Sequence, residues 1–374
     1  MRFLIINTDY DEFLRWLYTT HRGLENLPYD EQMKVRSESL FGVADFYSSN
    51  LRKLGHEAWD IHANNEFIQK AWAREHGISV PELKWQFIWK KNIIPWFIRV
   101  KSGKWFYRVL SAQIKYYKPD ILLNQAMPGI STRFLKEIKP YVRLLVGQHA
   151  ATRLSESEDF SCYDLVISSF PPTVEYFRQK GISAELNRLA FEPRVLSGLK
   201  AGGRPFDITF VGSFQRVHSS RVALLEALCT RFSQIRIWAP KIDHLSHGSP
   251  IRKYYAGPAW GREMYQILGN SKITLNHHGD IAPYANNMRL YEATGVGTML
   301  ITDWKVNLPE MFEPGKEVVA YRTPEECAEL IQYYLTHDNE REAIARAGQQ
   351  RTLREHTYYH RMQEFVEIVR KYLR

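Results

Sequence analysis

The sequence of 374 residues is poor in cysteine and has no long apolar run. Its three cysteines, Cys162, Cys229 and Cys327, lie far apart and form no Cys-x-x-Cys pair. We therefore expect neither a zinc site nor a disulfide framework, and we expect the protein to lie in a reducing compartment. No stretch reaches the roughly 18 apolar residues that a membrane span needs, and the short apolar run at the amino terminus is typical of a first strand. These features predict a soluble, cytoplasmic protein.

Short motifs that mark several classes of enzyme are also missing. The first predicted strand leads into the glycine-free segment Asn7 to Asp11, which does not fit the dinucleotide-binding fingerprint, so an NAD dehydrogenase is not expected. The sequence contains no Gly-x-Ser-x-Gly or His-Glu-x-x-His motif. Adjacent His277 and His278 come without a carboxylate at metal-binding spacing, so we predict no metal site.

Positive charge is in excess, with 50 Lys and Arg against 41 Asp and Glu and a net charge of +9. This balance suits an acidic partner, which could be nucleic acid, an anionic membrane surface or a phosphorylated substrate. Residues 84–110 interleave four tryptophans with seven Lys or Arg. Such a segment is typical of a membrane surface or, less favoured here, of a site for single-stranded nucleic acid. The plain alternative is a helical subdomain with an aromatic core.

Short, continuous apolar runs recur along the chain, and the segments between them have helical periodicity. Such runs predict parallel strands that are covered on both faces, so we expect an α/β fold of two doubly wound domains. The predicted strands are Phe3–Ile6, Ala58–Ile61, Ile121–Leu123, Arg143–Val146, Leu165–Ile167, Ile208–Val211, Ile235–Trp238, Ile273–Leu275, Met299–Ile301 and Val318–Ala320. A segment rich in Gly, Pro and Lys separates the domains, which we place at 1–195 and 206–357. A final helix, 358–374, is expected to pack back on the first domain.

Two doubly wound domains bind a ligand in the cleft at the carboxyl ends of their strands. In the second half, candidate polar residues follow the predicted strands Ile208–Val211 and Ile273–Leu275. Others lie on the predicted helix that precedes the strand Met299–Ile301. The candidates are Gly212, Ser213, Arg216, Arg221, Asn276, His277, His278, Asn287, Arg289 and Glu292. A glycine turn before a helix suits phosphate, glutamate accepts from paired hydroxyls, and arginine donates a fork to phosphate oxygens. The alternative is an ordinary succession of helix, glycine turn and strand.

The first half offers fewer candidates. His149 follows the strand that ends near Val146, where an imidazole could bind a sugar hydroxyl or a phosphate, or act as a base. A loop histidine without a function fits that position equally well.

Several segments occur in the order of a known family. DITFVGSF, KITLNHHGD and NMRLYEATGVGTMLITD, between Asp207 and about Arg361, resemble the CgeB-like glycosyltransferases, which are related to the family-four retaining transferases. In the first half, GQHA and CYDLVISSFPPTVEYFRQKGI are similar to the corresponding family-four segments. The resemblance implies the GT-B architecture, in which two Rossmann-like domains face a cleft.

The resemblance also implies roles for individual residues. Glu292 would hold the ribose hydroxyls of a nucleotide, Arg289 would face its diphosphate, and Gly212 with Ser213 would form the loop on the phosphate side. His149 would lie near the transferred sugar. The sequence departs from the family-four pattern at Tyr284, which stands where those enzymes have a first glutamate.

The expected activity is transfer of a sugar from a nucleotide-diphosphate sugar to a glycan or glycolipid acceptor in cell-surface polysaccharide synthesis. The resemblance implies retention at the anomeric carbon, and we expect arginine and a helix amino terminus, without a metal cofactor, to stabilise the leaving diphosphate. If transfer inverts instead, His149 or Asp9 becomes the candidate base. The alternatives are a nucleotide-sugar epimerase and a non-catalytic protein that binds nucleotides or polyanions. We expect the protein in the cytoplasm, at the periphery of the inner face of the membrane.

Overall fold

The computed structural model describes most of the chain. The described residues are 1–80, 84–90, 94–100, 104–150, 154, 158–200, 202–214 and 218–373, with the backbone alone for 84–90, 94–100 and 104. No helix among them is both long enough and apolar enough to cross a membrane.

Strands and helices alternate along the described chain. The strands are β1 (Arg2–Asn7), β2 (Glu57–His62), β3 (Lys84–Lys90), β4 (Ile94–Val100), β5 (Ile121–Asn124), β6 (Leu144–Gln148), β7 (Leu165–Ser168), β8 (Ala184–Leu186), β9 (Phe206–Val211), β10 (Ile235–Trp238), β11 (Ser271–Asn276), β12 (Met299–Asp303) and β13 (Val319–Tyr321). The helices are α1 (Asp11–Thr20), α2 (Tyr29–Glu38), α3 (Phe46–Lys53), α4 (Glu66–Glu75), α5 (Lys104–Tyr117), α6 (Thr132–Ile138), α7 (Pro171–Gln179), α8 (Ser219–Arg231), α9 (Ile251–Tyr254), α10 (Gly261–Gly269), α11 (Arg289–Gly295), α12 (Pro324–Thr336), α13 (Asp338–Glu355) and α14 (Tyr358–Tyr372).

Two parallel sheets organise these elements. The first has the strand order β2-β1-β5-β6-β7-β8, and the second has the order β10-β9-β11-β12-β13. Helices cover both faces of each sheet, so the central strands are buried along their length, as the continuous apolar runs predicted. The predicted fold class, two doubly wound α/β domains, is confirmed, and each of the ten predicted strands is present.

Two parts of the first domain differ from the expectation. β8 has three residues, too few for a recognisable apolar run. Residues 84–90 and 94–100, for which a helical subdomain was one alternative, form an antiparallel hairpin in which Phe87 lies opposite Phe97. That alternative is wrong for these two strands, whereas Lys104–Tyr117 is helical. The side chains of the hairpin lie outside the described part of the chain, and so does the predicted aromatic surface.

The two sheets share a continuous apolar core that includes Phe3, Phe191, Leu300 and Phe365. The last helix, α14, returns to the first domain, where the rings of Phe365 and Phe3 are 6.0 Å apart. The predicted domain bounds stay predictions. In the described residues, the chain passes from the first sheet to the second between Leu186 and Phe206 and returns to the first domain just before α14.

A second contact joins the start of α10 to the end of α2. Gly261 has a φ of +53°, and a Cβ there would lie 2.0 Å from the Ser39 carbonyl oxygen. The backbone N–H of Arg262 donates to the same oxygen over 3.1 Å. Close approach of two backbones therefore requires glycine at this position, and the contact fixes how the domains meet.

Candidate functional site

The carboxyl ends of the second sheet face the first domain across the cleft. β9 leads into Gly212, β11 into His277, and β12 ends at Asp303, while α11 lies beside them. The rings of Phe170, which follows β7, and Tyr284, which follows β11, meet across the cleft at 6.1 Å. Tyr284, which replaces the first family-four glutamate, is therefore part of the contact between the domains.

Glu292, which is buried, and Arg289, which is partly buried, form a charged pair at this site. Arg289 Nη1 lies 2.8 Å from Glu292 Oε2, and the Arg289 Nε donates over 3.2 Å to the carbonyl oxygen of Val211 at the end of β9. Burial raises the pKa of Glu292, and the charge of Arg289 opposes that rise. The pair thus holds a carboxylate and a guanidinium together where α11 meets β9, which suits a ligand with both hydroxyls and negative charge.

Asn276 and Asn287 are also brought together. The Asn287 amide donates to Asn276 Oδ1 over 2.8 Å, and the Asn276 amide donates to the Thr302 hydroxyl over 2.9 Å. Asn287 Oδ1 is buried and has no hydrogen-bond partner among the described residues. An acceptor in that position is available to a ligand hydroxyl.

The adjacent histidines point in different directions. His278 Nδ1 lies 2.7 Å from Asp303 Oδ1, whereas His277 contacts the Tyr321 hydroxyl and the Ser220 hydroxyl, each at 2.8 Å. Burial opposes ionisation of Asp303, but the hydrogen bond and charge of His278 outweigh it and hold the pKa of Asp303 below its usual range. No group of three or more His, Cys, Asp or Glu in the described ranges is arranged to hold a metal ion.

Part of the expected phosphate site donates to other parts of the protein. The Gly212 N–H donates to the Trp238 carbonyl oxygen over 3.0 Å. At the amino end of α8, the Ser220 N–H donates over 3.0 Å to Asp280, and the Ser219 hydroxyl donates to the same carboxylate. The anion that the amino end of this helix favours is therefore the Asp280 side chain. These two groups at the amino end of α8 therefore bind Asp280, and a role of this helix end in binding phosphate stays a prediction.

Arg221 links two loops of the site. Its guanidinium donates over 2.7 Å to the Ser213 carbonyl oxygen and over 3.0 Å to the His277 carbonyl oxygen. Burial lowers the pKa of Arg221 to about 10. The geometry favours a bracing role over direct binding of phosphate. Arg216, the other cation predicted here, lies outside the described residues.

Asp9 is held by two basic side chains of the first domain. Arg36 Nε donates to both carboxylate oxygens, over 3.0 and 3.1 Å, and His62 Nδ1 lies 3.1 Å from Oδ2. Burial opposes ionisation, but the His62 and Arg36 charges outweigh it and hold the pKa of Asp9 well below its usual range. A carboxylate held ionised in this way is a weak base, so the geometry favours a structural role for Asp9.

Two further side chains extend the site into the first domain. His149 follows β6 as predicted, is buried, and its backbone N–H donates to the Ile167 carbonyl oxygen over 3.2 Å. Tyr10, which sequence reasoning missed, follows β1, is 63 % exposed to solvent, and lies within electrostatic range of Glu292. The position of Tyr10 just after the first predicted strand is the sequence signal that could have identified it as a site residue.

The fold is of the class found in GT-B glycosyltransferases. Residues 220–367 match the family described as glycosyl transferase-like. A glycosyltransferase from Rickettsia africae superposes with a TM-score of 0.58 at 11 % identity, covering 100 % of this chain and 99 % of that one. HepE from Anabaena in complex with UDP-glucose gives 0.58 at 12 % identity, with 99 % and 100 % covered. Sucrose-phosphate synthase from Thermosynechococcus elongatus gives 0.58 at 10 % identity, with 99 % of each chain covered. No curated protein matches the sequence.

Proposed function

We propose that this protein transfers a sugar from a nucleotide-diphosphate sugar to a glycan or glycolipid acceptor, as a CgeB-like relative of the family-four enzymes. The observation that carries the proposal is the ion pair of the buried Glu292 with Arg289 at the carboxyl ends of the second sheet. Two findings support it: the match of residues 220–367 to the glycosyl transferase-like family, and a similarly folded protein bound to UDP-glucose.

The charged pair suits the two ends of such a donor. Glu292 would accept hydrogen bonds from the ribose hydroxyls, and Arg289 would offer its guanidinium to the diphosphate, whose charge grows as the glycosidic bond breaks. Lys305, whose ammonium lies 3.2 Å from Asp303, is a second cation beside this sheet end. We infer that these cations, and not a metal, stabilise the leaving group.

His149 is the first-domain residue proposed to act near the transferred sugar. With retention of configuration it would orient the sugar, and with inversion it would act as the base, because the ion-paired Asp9 is a weak one. NMR spectroscopy of the anomeric proton in the first-formed product distinguishes the two outcomes. We propose retention, so an inverted product would overturn that part of the mechanism.

The acceptor is proposed to belong to cell-surface polysaccharide or glycolipid assembly, with the protein at the cytoplasmic face of the membrane. The excess of positive charge and the sequence of residues 84–110 support this location. Co-sedimentation with phosphatidylglycerol vesicles should exceed that with phosphatidylcholine vesicles. Equal, weak binding to both kinds of vesicle would refute the proposed location at the membrane.

The activity is tested with a panel of UDP-, GDP- and dTDP-sugars. A thermal-shift screen with the bare nucleotides comes first, because a ligand that binds the folded protein stabilises it by mass action. A transferase should release the nucleotide diphosphate from one donor, faster when an acceptor is present. Release of an altered sugar nucleotide would indicate an epimerase, and binding without turnover would indicate a non-catalytic protein.

A further inference from the structure

A second large cavity lies away from the cleft. It measures about 1110 Å³ and runs along β2, the edge strand of the first sheet. Its walls include Arg2 and Glu57, the first residues of β1 and β2, so it opens at the amino ends of these strands. The cleft lies at their carboxyl ends. The cavity also extends along the edge of the sheet to Asp60 and to Arg262 of the second domain, and none of the candidate site residues of the cleft lines it.

Charges of both signs line this edge cavity and largely cancel. Arg194 Nη2 lies 2.7 Å from Asp45 Oδ1, and Arg52 approaches the same carboxylate. Asp60, which is 6 % exposed, accepts from the Asn7 amide over 3.0 Å. Paired acids and bases leave little net charge to attract a highly charged ligand such as a nucleotide, but they supply hydrogen-bond donors and acceptors to a neutral ligand rich in hydroxyls.

Aromatic rings supply the apolar part of the same walls. Trp59 packs on Tyr117 with ring centroids 4.9 Å apart, and Trp72 stacks on His76 at 4.0 Å. Tyr116 lines the cavity with 59 % of its surface exposed. Exposed and partly exposed rings beside carboxylates and guanidiniums combine an apolar surface with polar partners, as a ligand with C–H faces and hydroxyl edges requires.

We propose that the edge cavity is a binding site for a neutral oligosaccharide, separate from the cleft. The C–H faces of pyranose rings would pack on Trp59 and Tyr116, and their hydroxyls would bind the charged side chains. The volume exceeds the about 300–1,000 Å³ that holds a drug-sized ligand, so there is room for more than one sugar unit. Binding here does not depend on the proposed transferase activity.

The test uses the full chain and four oligosaccharides: maltohexaose, cellohexaose, chitohexaose and mannohexaose. Isothermal titration calorimetry should show saturable binding of at least one of them. Tyr116→Ala, which removes an exposed ring, should weaken that binding about tenfold, and Trp59→Ala should do at least as much. Tyr333→Ala, which removes a similarly exposed ring from the second domain, serves as the matched control and should bind normally.

The cleft variant Glu292→Gln separates this site from the donor site. It should lose nucleotide binding and keep oligosaccharide binding, whereas Tyr116→Ala should do the reverse. If none of the four oligosaccharides binds, or if Tyr116→Ala binds as the wild type does, the proposal is overturned. Loss of oligosaccharide binding in Glu292→Gln alone would place the glycan in the cleft and would also refute it. Circular dichroism of each variant confirms that the chain is folded.

Discussion

Replacing Glu292 by glutamine tests the donor site most directly, because glutamine keeps the shape of the side chain and removes its charge. A carboxylate that accepts from two ribose hydroxyls forms charge-assisted hydrogen bonds, each worth roughly 1.5–3 kcal/mol. Glutamine keeps one acceptor oxygen, so we expect a loss of about 3 kcal/mol. At about 1.4 kcal/mol per tenfold change, the dissociation constant of the preferred nucleotide should rise roughly a hundredfold.

The effect of Glu292→Gln on stability should be smaller, because two contributions oppose one another. The variant leaves the partly buried Arg289 without its charged partner at 2.8 Å, but it also removes a carboxylate whose pKa burial raises. We therefore expect the free energy of unfolding to change by no more than about 2 kcal/mol. Urea denaturation of the variant without ligand measures this directly.

The assay is isothermal titration calorimetry with UDP, GDP and dTDP on wild type and variant. Glu263→Gln removes an exposed carboxylate from the neighbouring helix α10 and should bind as the wild type does. The affinity for the corresponding nucleosides is then measured over a range of pH. Nucleosides carry no phosphate, so a change in affinity does not come from titration of the ligand's phosphate groups. Because the pKa of Glu292 is raised, wild-type affinity should fall on acidification, and the affinity of the variant should not. A folded Glu292→Gln protein with wild-type affinity would refute the assignment.

Three further predictions concern stability. Burial lowers the pKa of His356 from 6.5 to about 4, so the unfolded state binds more protons between these values and the free energy of unfolding should fall by roughly 3 kcal/mol as pH drops from 6.5 to 4. His356→Gln should remove most of that slope in urea denaturation, and an unchanged slope would contradict the assignment. Burial raises the pKa of Asp60 from 3.8 to about 6, so the folded state binds more protons in that window and stability falls as pH rises. Asp60→Asn should therefore be more stable than wild type at pH 8, by up to roughly 3 kcal/mol, with no gain below pH 4. Gly261→Ala should lower the melting temperature because its Cβ would meet the Ser39 carbonyl oxygen, whereas Gly315→Ala, also at positive φ but with open space, should cost only about 1 kcal/mol. Equal losses in the two alanine variants would show that backbone strain alone matters.

The sequence by itself determined the class of fold. In a parallel sheet covered by helices, a central strand is apolar along most of its length, so the strand Met299–Asp303 is visible in the sequence as the continuous run Met299–Ile301. The same logic located the candidate site, because polar residues that follow such runs must lie at the carboxyl edge of a sheet. Arg289 and Glu292 could be paired in advance, since residues three apart share a face of a helix.

Only the tertiary structure decided which of these polar groups are occupied by other parts of the protein. Asp280 reaches the amino end of α8 from 60 residues away, and Arg36 and His62 enclose Asp9 from 27 and 53 residues away. No local pattern records such partners, because a charged side chain at the end of a strand looks the same whether it faces a ligand or a distant part of the chain. The edge cavity follows the same rule. Its aromatic and charged residues come from several separate segments of the chain. They meet along β2 because the sheet folds in this way, and their spacing in the sequence does not reveal it.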